Sequence, residues 1–181
     1  NSNGSLSTYV AAFFEEPALA GGFVWDWRDQ GLAETDDQGR FYWAYGGHYG
    51  DEPNDGNFNI NGLVGPDGVP HPALREYMWA ARPITTELTA QRKLRISNRR
   101  VFQDTSDLEM RWRLLKDGQE VEAGQGVVMI APGASIELDT PFHSDLCSQG
   151  DWHLTVSWHV RENAEWTEAE YEVAWDQIDL K

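Results

Sequence analysis

From Pro83 onward the apolar residues fall on every second position, and that period constrains the fold more than anything else in the chain. Leu94 and Ile96; Leu108, Met110, Trp112 and Leu114; Trp152, Leu154, Val156, Trp158 and Val160; and Tyr171, Val173 and Trp175 all alternate. Successive side chains on a strand point to opposite faces, so such runs predict half-buried β-strands and not helices. Turn signals lie between them at Asp117-Gly118, Pro132-Gly133 and Gln149-Gly150. Short strands with regular turns read as an antiparallel β-sandwich, near the ~100 residues of an immunoglobulin-like domain. Trp112, Trp152 or Leu154, and Trp158 are expected among its core residues. Cys147 is the only cysteine, so no internal disulfide supports that core and packing alone must hold it.

The first 82 residues follow different rules. Leu6, Tyr9, Val10, Phe13 and Phe14 recur at helical spacing, with Ser5 as a candidate cap and Pro17 as the stop. A double glycine, Gly21-Gly22, then leads into Phe23-Val24-Trp25-Asp26-Trp27, which predicts a buried strand and not a half-exposed one. From Arg28 to Pro70 periodicity is lost, in a stretch dense in Gly, Asp, Asn, Tyr and Trp. Disordered segments are poor in aromatics, so a loop of this kind reads as functional. Pro72 can open a second helix, with Leu74, Tyr77, Met78 and Ala81 on its apolar side and Pro83 beyond its end. Helix, strand, long loop, helix suits an α/β protein with a parallel sheet. One strand cannot make a sheet, and the chain begins at Asn1 with no leader after it, so a piece of a longer protein is expected.

Charge narrows the partners. Thirty acids against 14 bases give a net charge of −16, with no acidic tail to account for it. Nucleic acid and anionic membrane surfaces both demand a basic footprint, so neither is an expected partner. No apolar run reaches the 18 residues of a membrane helix. A single cysteine fits a reducing compartment, and a cytoplasmic location is expected. Nine Trp are an excess, and Trp offers a flat amphipathic surface to ligands as well as to cores.

In an α/β barrel the active site is built from loops at strand C-termini, which directs attention to Trp25, Asp26, Trp27 and Asp29. Aromatic faces beside amide and carboxyl groups suit a polyhydroxylated ligand, although Trp25 and Trp27 would equally serve to plug a barrel core. Asp51 to Asn61 is no EF-hand, because Pro53 stands at position three and Gly62 at position twelve. A looser oxygen site from its Asn residues and plain Asx-turns both fit this stretch. Glu15 and Glu16 are helical neighbours pointing about 100° apart and cannot act as an acid/base pair. His48, His71, His143, His153 and His159 show no metal-ligand spacing, and no G-x-S-x-G or phosphate loop occurs.

Asn1-Ser2-Asn3-Gly4-Ser5-Leu6, Gly21-Gly22-Phe23-Val24-Trp25-Asp26-Trp27-Arg28-Asp29-Gln30, Tyr45-Gly46-Gly47, Gly50-Asp51, Pro53-Asn54-Asp55, Phe58, Asn61-Gly62-Leu63-Val64 and His71-Pro72-Ala73-Leu74 occur in this order. Together they resemble the large bacterial β-galactosidases of glycoside hydrolase family 2. The later residues resemble, through weaker motifs, the small β-sandwich that follows the barrel in these enzymes. The resemblance implies a multi-domain fragment. Residues 1–82 would be the C-terminal segment of the catalytic (β/α)8 TIM barrel, with its seventh helix, eighth strand and eighth helix at 5–16, 21–27 and 71–81. Residues 83–181 would be an immunoglobulin-like β-sandwich.

The family implies a retaining mechanism on two glutamates roughly 5 Å apart. By the resemblance neither is here, since the nucleophile lies a few residues before the match to Asn1-Ser2, and the chain alone is expected to be inactive. What carries over is the sugar-binding floor. Trp25 matches the tryptophan on which galactose packs. Asn61 matches an asparagine near the galactose 6-hydroxyl and a bound sodium ion. Phe58 matches a residue whose backbone carbonyl meets that ion, and Asn54 a position near an outer magnesium site. The resemblance also implies a galactoside substrate, the remainder of the parent polypeptide as partner, and a homo-oligomeric parent. His48 stands where well-known relatives carry Asp, and Gly56 and Gly65 replace larger residues, which bears on fine substrate preference. The competing reading is a non-catalytic carbohydrate-binding or scaffold module using the same Trp-rich surface. An E-Y-x-H-x-M-G segment directly upstream would decide for the enzyme.

Overall fold

The computed structural model describes residues 3–143 and 149–180, so Cys147 lies outside the described residues. The chain divides into two compact units, Asn1–Ala81 and Arg82–Lys181.

In the first unit a 3-10 turn at Asn3–Ser5 leads into α1, Leu6–Glu15. Ser5 occupies the cap position, but its side chain makes no capping bond. Leu6 and Val10 are buried, whereas Tyr9 and Phe14 of the same apolar stripe are exposed. Residues 28–70 are less irregular than their sequence suggests. They contain an antiparallel hairpin, β1 (Leu32–Thr35) and β2 (Phe41–Ala44), and a 3-10 turn at Gly56–Asn59. Asp36 closes the hairpin, its Oδ1 accepting the N–H groups of Gln38 and Arg40 at 2.9 Å. Side chain-to-backbone closure of this kind leaves no periodic trace. Helix α2, Pro72–Ala80, starts with Pro at its first position, where the missing N–H costs nothing.

The strand expected over 21–27 is not formed. The segment carries no strand ladder among the described residues, and Phe23, Trp25 and Trp27 are exposed. A continuous apolar run becomes a buried strand only where neighbours on both sides take its N–H and C=O groups. Here its C-terminal end meets the 61–64 loop, with Arg28 and Val64 forming an isolated parallel bridge.

The second unit is a β-sandwich with every strand pair antiparallel. One sheet has the order β3-β4-β7, from Ile84–Leu88, Leu94–Asn98 and Ser135–Leu138. The other has the order β6-β5-β8-β9, from Gln119–Gly126, Leu108–Lys116, Trp152–Val160 and Glu172–Asp179. The even positions of β5 and β8 face inward, and Trp112, Trp152, Leu154 and Trp158 are buried as their alternation predicts. Edge strand β6 hides from the sequence because its inner face is glycine: a Cβ on Gly124 would lie 2.8 Å from the Trp112 ring.

On β9 the alternation holds only at Val173, which packs against the core, and fails at Tyr171 and Trp175. Ala174, Asp176 and Ile178 are buried, while Tyr171 is exposed and Trp175 lies opposite outward-facing Ser157. The pairing with β8 decides this, since Ala174 faces Trp158 and Ile178 faces Leu154. The inward Asp176 breaks the apolar pattern. It accepts from Arg82 Nη2 and from the Thr86 N–H of edge strand β3, each at 2.7 Å.

Candidate functional site

The 61–64 loop folds back onto the end of the 21–27 segment through its backbone. The N–H of Asp26 donates to the Asn61 carbonyl at 3.3 Å, that of Leu63 to the carbonyls of Asp26 and Trp27 at 3.0 Å, and that of Val64 to Trp27 at 3.0 Å. Gly62 must be glycine at this crossing. A Cβ there would lie 2.4 Å from the Asp29 nitrogen and 2.6 Å from the Arg28 carbonyl carbon, backbone atoms that cannot swing aside. Asp29 fastens the crossing, its Oδ1 accepting the Gly62 N–H and its Oδ2 facing His71 Nε2, each at 2.7 Å.

This arrangement brings Trp25, Gln30, Asp55, Phe58, Asn59 and Asn61 around one open cleft of about 260 Å³. That is below the ~300 Å³ at which whole-ligand pockets begin, so the cleft holds a subsite. Trp25 is 81% exposed and Phe58 68%, large apolar faces that bury little within the unit. The floor is polar. The side-chain oxygens of Asn59 and Asn61 are buried and have no hydrogen-bond partner. Buried acceptors are rarely left unmet, because each costs about 1–3 kcal/mol. The Asn59 oxygen packs against Gly46, 3.0 Å from where a Cβ there would stand, and a lining that combines Asn59, Asn61, Gln30 and Asp55 suits a hydroxyl-bearing guest or a hard cation that takes oxygen ligands.

Asp26 stands beside the cleft with Oδ2 accepting from Gln30 Nε2 at 2.7 Å and Oδ1 from the Trp27 N–H. The Gln30 amide and these backbone donors hold its carboxyl below the ordinary 3.8, so it is an acceptor and not an acid at neutral pH. Tyr49 ties the loop to β1, donating to Glu34 at 2.7 Å, which pushes its phenol up to about 12.

Asn54 lies apart from the cleft. Its Nδ2 donates to the Asp51 carbonyl and its Oδ1 accepts the Gly56 N–H, which makes it a turn brace. Among the described residues no group of three His, Cys, Asp or Glu side chains could hold a metal. Glu15 and Glu16 are exposed. His48 accepts the Tyr45 N–H at Nδ1, and His159 lies between Ser157 Oγ and the Glu170 carbonyl.

Residues 1–86 match the family model described as the TIM barrel domain of glycosyl hydrolases family 2, and residues 94–181 that of β-galactosidase domain 4. The chain belongs to glycoside hydrolase family 2. Its fold is the last α/β elements of a TIM barrel followed by an immunoglobulin-like β-sandwich. Among its relatives, a β-galactosidase of Vibrio vulnificus is 38% identical over 100% of this chain and 18% of its own. One of Vibrio cholerae is 41% identical over 100% and 17%, and one of Aeromonas hydrophila 45% over 76% and 14%. The chain thus spans about a fifth of the length of the curated relatives it matches.

Gln30 and Asp55 are cleft residues that the sequence shows only inside longer motifs, and Asn59 is one that it offers only as one of the Asn residues between Asp51 and Asn61. A signal for Asn59 does exist, since Asn57, Asn59 and Asn61 recur at every second position. Nothing in the sequence tells which of the three turns its oxygen inward.

Proposed function

We propose that this chain is the part of a retaining β-galactosidase that supplies the floor of the galactose subsite, with residues 1–82 in the catalytic barrel and 83–181 as the domain that follows it in the chain. The observation that carries the reading is the cleft itself, whose lining combines the exposed Trp25 and Phe58 with Asn61, a residue whose buried side-chain oxygen has no partner. Trp25 packs against the C–H face of the sugar, and Asn61 serves the 6-hydroxyl region. An orphaned oxygen is also what a sodium ion requires, so Asn61, with the Phe58 backbone, would hold that ion. When bound, sodium supplies a fixed positive centre for hydroxyl oxygens. Asn54 offers magnesium no orphaned atom, and nothing further of this chain is assigned to that ion. The two glutamates that retaining hydrolysis requires come from elsewhere in the parent polypeptide. That parent is proposed to be cytoplasmic and homo-oligomeric. No described helix is long and apolar enough to cross a membrane.

The test uses the full-length natural polypeptide, with kcat/KM measured on a β-D-galactoside and on an analogue lacking the 6-hydroxyl across a sodium titration. Trp25→Ala should lose the ring contact, on the order of 1 kcal/mol beyond its buried area. Asn61→Ala should cost about tenfold on the galactoside, much less on the analogue, and should weaken the sodium response. Equal losses on both substrates with an unchanged sodium curve would remove the assignment. No turnover by the 181-residue chain alone is expected.

A further inference from the structure

Among the described residues of the first unit, Asp29 is the one buried charged side chain, at 5% exposure, and the reading above gives it no role. It is not among the residues that line the cleft. Its bonds all point to the loop that carries Asn61. Oδ1 accepts the Gly62 N–H at 2.7 Å, one residue beyond Asn61, and the Asp29 N–H donates to the Val64 carbonyl at 2.9 Å. Oδ2 meets His71 Nε2 at 2.7 Å, while the His71 N–H donates to the Leu63 carbonyl at 3.0 Å. Residues 62–64 are therefore held on one side by Asp29 and on the other by His71. With no room for a Cβ at Gly62, the loop cannot shift toward the 28–29 backbone either.

We propose that Asp29, oriented by His71, is a positioning residue that fixes where Asn61 stands in the lining of the cleft; this rests on the subsite reading given above. The chemistry favours a carboxylate. A charged acceptor makes the stronger bond to a backbone N–H, and its second oxygen remains for the imidazole. Partners of this kind, one step removed from a ligand, are typically worth 10–100-fold in affinity. An amide at position 29 would keep the Gly62 bond and could donate to an unprotonated His71, so Asp29→Asn is the conservative rescue.

The experiment is a double-mutant cycle of Asp29→Ala and Asn61→Ala in the full-length polypeptide. KM and kcat for a β-D-galactoside are read alongside the sodium-dependent rise in Tm, with choline chloride as the ionic-strength control. Asp29→Ala should raise KM and the half-saturating sodium concentration about tenfold, with kcat moving less. In the Asn61→Ala background the same change should cost less than about threefold, because its effect passes through Asn61. Asp29→Asn should recover most of both losses. If Asp29→Ala does not fold, His71→Ala removes the orienting partner from a half-exposed position and should show the same coupling at about threefold. Penalties that multiply independently across the cycle, or a lowered Tm with an unchanged sodium midpoint, would overturn the proposal. A wild-type enzyme with neither galactoside turnover nor a sodium response would instead overturn the subsite reading, and the positioning role with it.

Discussion

The two units differ in where their aromatic residues end up. In the β-sandwich, Trp112, Trp152 and Trp158 are buried among Leu108, Leu114, Leu154 and Val156, in a core continuous across both sheets. In the first unit, Phe23, Trp25 and Trp27 are exposed, and the buried apolar residues are few: Leu6, Val10, Ala44, Leu63, Val64 and Ala80. The sandwich satisfies its strands internally, because every inward side chain on β5 finds a cross-strand partner on β8. The 21–27 segment has the more apolar sequence but no ladder to join. Apolar content alone therefore does not make a core; it needs partners for the backbone as well. Exposed aromatics and unpartnered buried oxygens are both costly for stability.

The largest expected effect separates the units outright. Residues 82–181 expressed alone should unfold cooperatively in urea with a β-type circular dichroism spectrum. Residues 1–81 alone should show no sharp transition and should bind a hydrophobic dye. Cooperative unfolding of the 1–81 piece would break the contrast.

Within the sandwich, Leu154→Ala should cost about 2–5 kcal/mol, because Leu154 is fully buried between Leu114 and Ile178 and its removal leaves a cavity. Urea denaturation of the 82–181 domain measures it directly. A loss below 1 kcal/mol would mean that the core is far looser than its alternation implies.

A smaller effect tests the buried ion pair. Burial pushes the Asp176 carboxyl above its ordinary 3.8, against the opposing pull of the Arg82 bond. A carboxyl with a raised folded value binds its proton more readily folded than unfolded. Its own contribution to stability therefore falls as pH rises through the window just above 3.8, and is flat at higher pH. Asp176→Asn keeps an acceptor for the Thr86 N–H but loses the charge facing Arg82, at a cost of about 1–3 kcal/mol near neutrality. It should also remove that downward slope, which stability curves taken at successive pH values will show.

The sequence made the sandwich legible because β5 and β8 are central strands with one face buried, and period two is the direct record of that burial. On β9 the alternation misleads after Val173, because burial there includes a charged residue, Asp176, whose partner Arg82 lies 94 positions away. β6 and the β1–β2 hairpin left little trace, one because glycine forms its inner face, the other because Asp36 closes it by side-chain bonds. For the site, Trp25, Phe58 and Asn61 carried motif-level signals and meet in one cleft. Asn59 could be suspected only as one of three alternating asparagines.

By itself the sequence determined the period-two strands, the two helices bounded by proline, the acidic net charge, and the family motifs around Trp25 and Asn61. All are local or additive properties, written in spacing and composition. Tertiary structure alone decided that Asn59 and Asn61 line one cleft while their side-chain oxygens are buried without a partner, that Asp29 and His71, 42 positions apart, close on the same loop, and that Asp176 faces inward. The physical reason is that each depends on which distant backbone comes within hydrogen-bond reach, and no local pattern of residues encodes that distance.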